Sequence, residues 1–335
     1  MINRPMARRS VLLGGIGLTA SLSLGGPAFA QVTGTRLSGD AKDAMPTPPV
    51  PATPLDAWVD IYGRPTAKVM LNGKGPFEFL VDTGANITVL TMRRALELGV
   101  TFNGMATVNG TTGSTDMPVA TVDHLATGVV NASGLRIAVL PDASLPKQDG
   151  ILGADVFAGR RLSFEMQRKR VIVQDPQRTA AFGFSRITSS NMRVRNGRLA
   201  EVEGHIGRVD VRMMLDTGAD HCIVNTALES RLTKYFPRMT RIEHATIIGV
   251  TGQVVTGTYL ALPDVRFGGV TLRDAGAVAA DAPIFETLGL TNTPTMIVGI
   301  NVLSRLSSFS IDYGARTFEA IPLAQLLAEQ GVRLI

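Results

Sequence analysis

Short apolar runs alternate with glycine-containing turns along most of the chain, a pattern typical of β-strands joined by tight connections. Apolar runs at residues 66–71 and 76–81 flank a turn at 72–75 that contains Asn-Gly, which predicts a β-hairpin. This hairpin ends directly before Asp82. We therefore expect a chain of mainly β structure.

The pattern repeats with a long period. Runs at 199–203 and 208–215 predict a second hairpin, which ends before Asp216 as the first ends before Asp82. Three more pairs of segments follow in the same order: hairpins with glycine-rich tips at 106–113 and 245–252, apolar runs around a glycine at 151–157 and 297–303, and closing hairpins at 162–173 and 309–321. The shared order indicates duplication of one unit, and hence two lobes.

Short helices complete the predicted elements. Short helices are predicted at 92–98, which Gly99 would end, and at 226–236, which Pro237 would end. A last helix is predicted at 322–330, inside a C-terminal segment 322–335, because Pro322 suits a first helical turn.

The first 30 residues have the pattern of an export signal. Arg8 and Arg9 precede an apolar run at 11–24, and small residues at 28–30 fit a cleavage site. The arginine pair resembles a twin-arginine signal, which implies a bacterial protein exported to the periplasm or the medium. An ordinary secretory signal is the alternative. An uncleaved anchor is less favoured, because the run is shorter than the roughly 18 residues of a spanning helix.

The rest of the chain divides into a linker and two lobes. Residues 31–55 are rich in proline and poor in apolar side chains, which predicts a disordered linker. The two copies of the repeat predict an N-terminal lobe at 56–185 and a C-terminal lobe at 186–321.

Composition and charge exclude several other classes. The net charge of +5 falls to about +2 without the first 30 residues, which carry three arginines and no acidic residue. No basic stripe with interleaved aromatics remains, so nucleic-acid binding is not expected. The four histidines and the single Cys222 lack metal-ligand spacing, so we expect no metal, no cofactor and no internal disulfide. Cys222 is predicted to be a buried core thiol.

The most specific candidate chemistry is the tetrapeptide Asp-Thr-Gly-Ala, which occurs at 82–85 and again at 216–219. One copy alone is compatible with an ordinary turn, but two copies in equivalent repeats indicate a pair of carboxylates brought together. Two carboxylates about 3 Å apart share one proton, so the pair can accept a proton from water and donate another.

Both halves resemble the retropepsin-like aspartic proteases, the retroviral type and its single-chain bacterial relatives. The tetrapeptides, the glycine-rich flap candidates and the later Ile-Leu-Gly and Ile-Val-Gly occur in family order over roughly residues 56–321. The resemblance implies a bilobal acid-protease fold of the pepsin or retropepsin type, with two β-barrel-like lobes related by a pseudo-twofold axis. It also implies peptide-bond hydrolysis in a peptide or protein substrate by a monomer with an internal pseudo-dimer.

The resemblance also implies roles for single residues. Asp82 and Asp216 would be the catalytic pair, and Asp220 would accept a substrate main-chain N–H, with Asn86 as its uncharged counterpart. The residues that would support the pair are Thr83 and Thr217, by hydrogen bonds across the lobe interface, and Gly84 and Gly218, by letting the backbone approach the carboxylates. The candidate substrate-binding residues are Ala85, Asn86, Ala219 and Asp220, together with the flap glycines Gly110, Gly113, Gly249 and Gly252.

Two departures from the pepsin pattern affect these expectations. Ala85 and Ala219 stand where pepsin-like enzymes usually carry Ser or Thr, which implies a less acidic pH optimum, since no hydroxyl stabilises the ionised pair. Neither predicted flap contains the tyrosine of pepsin-like flaps, and Tyr259 lies too far past the second tip to replace it. Two other functions stay open, namely an inactive peptide-binding protein on the same fold and a structural exported scaffold. No stable membrane span is expected after signal removal.

Overall fold

The computed structural model of the chain describes residues 12–14, 18–20, 53–54, 57–60, 62–176, 188–195 and 198–323. These residues form mainly β structure in two β-rich lobes, which confirms the predicted bilobal acid-protease fold. Most of the predicted signal, linker and C-terminal segment lies outside the described residues, as does the predicted boundary between the lobes at 185 and 186. The division into these segments therefore stays a prediction.

The first half of the chain contributes thirteen of the described strands and one α-helix. These are β1 (Leu12–Gly14), β2 (Leu18–Ala20), β3 (Thr53–Pro54), β4 (Ala57–Val59), β5 (Pro65–Leu71), β6 (Lys74–Val81), β7 (Val89–Thr91), α1 (Met92–Leu98), β8 (Phe102–Gly110), β9 (Gly113–Thr127), β10 (Val130–Leu140), β11 (Gly150–Leu152), β12 (Arg161–Glu165) and β13 (Arg170–Gln174).

The second half contributes twelve of the described strands and three α-helices. These are β14 (Thr188–Arg195), β15 (Leu199–Ile206), β16 (Val209–Leu215), β17 (Cys222–Val224), α2 (Thr226–Tyr235), β18 (Arg241–Ile248), β19 (Val254–Ala261), β20 (Val265–Phe267), β21 (Val270–Leu272), β22 (Gly276–Ala279), α3 (Pro283–Thr287), β23 (Thr295–Val298), α4 (Ile300–Leu303), β24 (Leu306–Asp312) and β25 (Thr317–Pro322).

The first predicted hairpin is formed by β5 and β6, which pair antiparallel with Thr66 opposite Leu80. Its turn is tighter than the four residues that the sequence pattern indicated, because Asn72 and Gly73 alone connect the strands. Both residues have positive φ, 48° and 76°, as a two-residue turn that follows the twist of the strands requires. The hairpin delivers the chain directly to Asp82.

The same strand insertion occurs in both lobes and confirms the duplication. In the first lobe β11 lies between β6, to which it is parallel, and β7, to which it is antiparallel. In the second lobe β23 lies in the same way between β16 and β17. Each inserted strand fixes the loop that follows the hairpin, because Asp82 N donates to Leu152 O at 3.0 Å and Asp216 N donates to Val298 O at 3.1 Å.

The closing hairpins of the two halves join in one sheet. Strand β12 of the first half pairs antiparallel with β24 of the second, with Phe164 opposite Phe309. Their rings stack with centroids 4.6 Å apart, and both side chains are fully buried. The sequence pattern predicts each hairpin but not this pairing, which ties the base of one lobe to the other.

Two of the predicted helices are confirmed, whereas the predicted start of the last helix at Pro322 is wrong. Helix α1 has the predicted bounds and ends at Gly99, whose φ of 70° gives the left-handed cap that glycine favours. Helix α2 ends one residue earlier than predicted, with Phe236 as its C-cap. Pro322 ends strand β25, and residues 324–335 of the predicted last helix lie outside the described residues. Within the described ranges, none of the helices is long and apolar enough to cross a membrane.

Candidate active site

The two tetrapeptides meet at the interface of the lobes. Asp82 and Asp216 are 1% and 2% exposed, and their carboxyl groups interact directly. Each carboxylate is held by the backbone of its own loop, because Asp82 Oδ1 accepts hydrogen bonds from Gly84 N at 2.8 Å and Ala85 N at 3.1 Å. In the second loop, Asp216 Oδ1 accepts the equivalent bonds at 2.9 and 3.0 Å. The pair is therefore fixed before any substrate binds.

Glycine at 84 and 218 makes this approach possible. A Cβ on Gly84 would lie 2.6 Å from Asp216 Oδ1, and a Cβ on Gly218 would lie 2.6 Å from Asp82 Oδ1. Real side chains do not tolerate such distances, so any larger residue would separate the carboxylates. The predicted role of both glycines agrees with this placement.

Thr83 and Thr217 form a reciprocal set of hydrogen bonds across the interface. Thr83 Oγ1 donates to Leu215 O at 2.9 Å, and Thr217 Oγ1 donates to Val81 O at 2.7 Å. Each hydroxyl also accepts from the other threonine's backbone N–H, at 3.1 Å in both directions. All four hydrogen bonds are buried, so they fix the position of one aspartate loop relative to the other.

Replacing Thr83 with valine is expected to lower the free energy of unfolding by about 2 kcal/mol, because the Leu215 carbonyl and the Thr217 N–H would stay buried without a partner. Urea unfolding measures the change. Thr83→Ser keeps the hydroxyl and is the matched control, so it should lose less than half as much. A loss in Thr83→Val no larger than that in Thr83→Ser would show that the two hydrogen bonds contribute no more than the methyl group that serine lacks.

Two arginines that the sequence analysis did not select cross between the lobes. Arg64 of the first lobe places Nη1 3.1 Å from Asp220 Oδ1, and Arg198 of the second donates from Nη1 to the Asn86 carbonyl at 2.8 Å. Each precedes the aspartate of its own lobe by 18 residues (82 − 64 and 216 − 198). This equal spacing in the two repeats was the sequence signal that could have identified them.

Burial raises the pKa of both catalytic candidates. It raises the pKa of Asp82 to about 6, against the lowering effects of the Asp216 hydrogen bond, the backbone N–H donors and the Arg64 charge. The pKa of Asp216 lies well above its ordinary value, first because of burial and then because of the Asp82 charge and hydrogen bond. The environments of the two carboxyl groups thus differ, although their loops are equivalent.

The two predicted flaps meet tip to tip above the pair. Thr112 Oγ1 of the first flap donates to Gln253 O at 2.9 Å, and Thr251 Oγ1 of the second donates to Gly113 O at 3.2 Å. Gln253 Nε2 donates to Thr115 Oγ1 at 2.7 Å. These polar side chains were not selected from the sequence, because glycines alone marked the tips.

The flap glycines contribute through close packing and turn geometry. A Cβ on Gly110 would lie 2.8 Å from Thr251 Oγ1, and Gly249 packs in the equivalent way against Thr112. Gly113 and Gly252 have φ of 156° and 85°, which glycine adopts readily. Direct substrate contacts by the four glycines stay predictions.

Two cavities lie along the cleft. The first, of about 20 Å³, lies against Asp216 and is closed by Thr111 of the first flap, Leu199, Ile284 and Leu288. It has room for about one water molecule. The second, of about 510 Å³, lies under the tip of the second flap and reaches Asp60, Arg64 and Asp220. A peptide can reach the pair only if the flap tips separate.

Cys222 is fully buried, as predicted. Its Sγ accepts from Gly299 N at 3.2 Å and lies 3.1 Å from Asn301 Oδ1. Burial raises the pKa of the thiol to about 12, so it is not a reactive nucleophile at neutral pH. Among the residues that the structure describes, no group of three or more His, Cys, Asp and Glu side chains could hold a metal ion.

Paired Asp-Thr-Gly loops at the interface of two β lobes, under two flaps, define the aspartic protease class. The chain matches the model of the family described as aspartyl protease over residues 67–156 and 200–302. The matched segments cover more than half of the chain and one segment lies in each lobe, so the chain belongs to this retropepsin-like aspartyl protease family. No curated protein matches the chain.

Proposed function

We propose that the chain is an aspartic endopeptidase that hydrolyses peptide bonds with a water molecule activated by Asp82 and Asp216. The observation that supports this most directly is the buried contact of the two carboxyl groups, with each glycine backbone packed against the opposite carboxylate. Such a pair binds one proton, so it can act as base and acid in the same step. Both aspartates come from one chain, so we propose an active monomer.

The different environments of Asp82 and Asp216 favour different roles for the two carboxyl groups in proton transfer. The hydrogen bond between the two carboxyl groups lowers the pKa of Asp82 and raises that of Asp216, so Asp82 would take the proton from water. Asp216, whose pKa lies well above its usual range, would hold the shared proton and donate it to the carbonyl oxygen of the scissile bond. As the C–N bond breaks, the proton taken up by Asp82 would pass to the leaving amine, and Asp216 would take a proton back from a hydroxyl of the tetrahedral intermediate, so the pair returns to its starting state.

This assignment predicts the pH dependence of catalysis. We expect kcat/KM to fall as the pH drops below about 6. Asp82 is then protonated, so the pair holds two protons and has no base. At higher pH the pair keeps the proton on Asp216, so the optimum should lie above about pH 6. A profile of kcat/KM from about pH 3 to 9 measures this, and a sharp optimum below about pH 3 would contradict it.

The raised pKa of Asp82 affects stability in the opposite direction: a rise in pH should increase kcat/KM but lower the free energy of unfolding. The folded-state pKa of Asp82 lies above its unfolded value near 4. Its contribution to the free energy of unfolding is therefore complete below about pH 4 and is lost as the pH rises through about 6. Thermal unfolding at each pH is thus the control that separates loss of activity from loss of fold.

We also propose that the chain is exported after removal of residues 1–30, on the basis of the arginine pair, the apolar run and the small residues that follow. N-terminal sequencing of the mature protein from the producing cells tests this. A mature chain that begins near Gln31 supports the proposal, and retention of Met1 contradicts it.

A peptide library separates the proposed function from its two alternatives. The purified chain from Gln31 onward is incubated with the library, and products are identified by mass spectrometry. Cleavage that a peptide analogue with a hydroxyl at the scissile position inhibits supports the protease. Binding without cleavage supports an inactive peptide-binding protein, and neither cleavage nor binding supports a structural scaffold.

A further inference from the structure

The cavity of about 510 Å³ is large enough to hold side chains of a bound peptide and lies on one side of the aspartate pair. Three charged side chains form part of its wall, namely Asp60, Arg64 and Asp220, and each is only 4% exposed. Buried charges of this kind are costly unless they are paired. The balance of positive and negative charge among these three side chains therefore indicates the charge of a ligand that the cavity can bind.

Arg64 makes its closest ion pair with Asp60. Arg64 Nε donates to Asp60 Oδ2 at 2.7 Å, and Arg64 Nη2 lies 2.6 Å from the same oxygen. The remaining nitrogen, Nη1, donates to Gly218 O at 3.4 Å and lies 3.1 Å from Asp220 Oδ1. Two carboxylates thus share one guanidinium, and one negative charge is left at the cavity wall.

The excess charge lies on Asp220. Its Oδ1 is buried and makes no aligned hydrogen bond with any group in the part of the chain that the structure describes. Burial raises the pKa of Asp220 to about 7, Arg64 opposes this shift, and the charge of Asp60 adds to it. Lys147 also borders the cavity, but its side chain is exposed to solvent.

The described residues on the other side of the aspartate pair differ in charge and in cavity size. The position equivalent to Asp220 is Asn86, which carries no charge. The cavity against Asp216 is about 20 Å³ and is lined mainly by apolar side chains, among them Leu199, Ile284 and Leu288. The duplicated cleft is therefore polar and open on one side, and apolar and narrow on the other.

We propose that the larger cavity selects peptides that carry a positive charge, which binds Asp220 on one side of the scissile bond. This inference rests on the proposed function. The cation is a guanidinium or ammonium group, from a basic side chain or from the amino terminus of the peptide. It would give Asp220 Oδ1 an aligned hydrogen-bond donor.

Matched peptides test the proposal. At each position around a cleavage site, Arg, Lys, norleucine and Glu are compared, each with a free and an acetylated amino terminus. We expect kcat/KM for Arg or Lys at one position to exceed that for norleucine by about 10- to 100-fold, the range of a charged hydrogen bond. A similar fall in kcat/KM for all four side chains on acetylation would instead identify the terminal ammonium as the bound group.

Two variants connect the preference to this carboxylate. Asp220→Asn should abolish the preference, so that kcat/KM for the Arg and Lys peptides falls to within about threefold of that for the norleucine peptide in the same variant. Asp210→Asn is the matched control, because Asp210 lies in the same lobe and is 88% exposed, so the same charge is removed far from the cavity. This control should keep the full preference.

Several results would overturn the inference. These are no preference for a basic side chain or a free amino terminus in the parent, a preference that survives in Asp220→Asn, or an equal loss on all peptides, which a main-chain contact or a purely structural role would give. If no peptide is cleaved, the proposed function fails and the same series is measured as peptide affinity by calorimetry. A basic preference in affinity that Asp220→Asn removes would then still support the cation site, and its absence would reject it.

Discussion

Asp82→Asn is expected to abolish peptide hydrolysis without unfolding the protein. An amide cannot share the proton of Asp216 and cannot accept a proton from water, so the base of the proposed mechanism is lost. The expected decrease in kcat is roughly 10²- to 10⁴-fold, the usual contribution of general acid–base catalysis. Because the lost interaction acts in the transition state, kcat and kcat/KM should fall together.

The fold should survive this change. Asp82 Oδ1 accepts hydrogen bonds from the backbone of residues 84 and 85, and an asparagine oxygen accepts the same bonds. Asp155→Asn is the matched control, since Asp155 is a part-buried carboxylate of the same lobe that accepts from Thr88 N and Thr88 Oγ1. Thermal unfolding and kcat are measured for both. Similar activity in the two variants would remove Asp82 from the chemistry.

The features that the sequence predicted were those set by local pattern. The hairpin of β5 and β6 follows from Asn72-Gly73 between apolar runs, and the end of α1 follows from Gly99. The juxtaposition of Asp82 and Asp216 was predictable because two identical tetrapeptides ended equivalent hairpins. Because the tetrapeptide occurs in both repeats, a local sequence pattern predicted a contact between two distant residues.

The features that the sequence did not predict depend on contacts between distant segments. Arg64 and Arg198 each contact the opposite lobe, and only their equal spacing before the two aspartates distinguishes them in the sequence from surface arginines. The flap contacts of Thr112 and Gln253 depend on how the two hairpins close over each other. The pairing of β12 with β24 joins residues that lie about 150 positions apart, for which apolar pattern gives no partner.

The duplication keeps the geometry of the site while its charges differ. Asp155 accepts hydrogen bonds from Thr88 in the first lobe, and Asn301 accepts equivalent bonds from Cys222 in the second. The acid and the amide are exchanged at a second pair of equivalent positions, where the first lobe has the amide Asn86 and the second has the acid Asp220. Each lobe therefore carries one acid and one amide at these two positions. This reversal leaves the uncompensated carboxylate on one side of the cleft only.

Arg161→Ala is expected to lower the free energy of unfolding by about 3 to 5 kcal/mol, the usual effect of breaking a buried ion pair. Arg161 is fully buried where β12 meets β24, with Nη2 in contact with Glu319 Oε2 and Nη1 3.8 Å from Asp312 Oδ2. Truncation leaves the Glu319 carboxylate buried without its cation and creates a cavity between the closing hairpins of the two lobes. Urea unfolding of the parent and the variant measures the loss.

Two further variants show whether charge or packing causes this effect. Arg160→Ala changes the neighbouring arginine, which is 35% exposed and lies 3.4 Å from Asp175, so it should cost less than about 1 kcal/mol. Arg161→Met combined with Glu319→Met removes both charges and fills the space, while Asp312 keeps its bond from Ala315 N at 2.7 Å. This double variant should recover most of the lost stability, because apolar replacement of a buried ion pair is often neutral. A loss in Arg161→Ala no larger than that in Arg160→Ala would show that this ion pair does not hold the two lobes together.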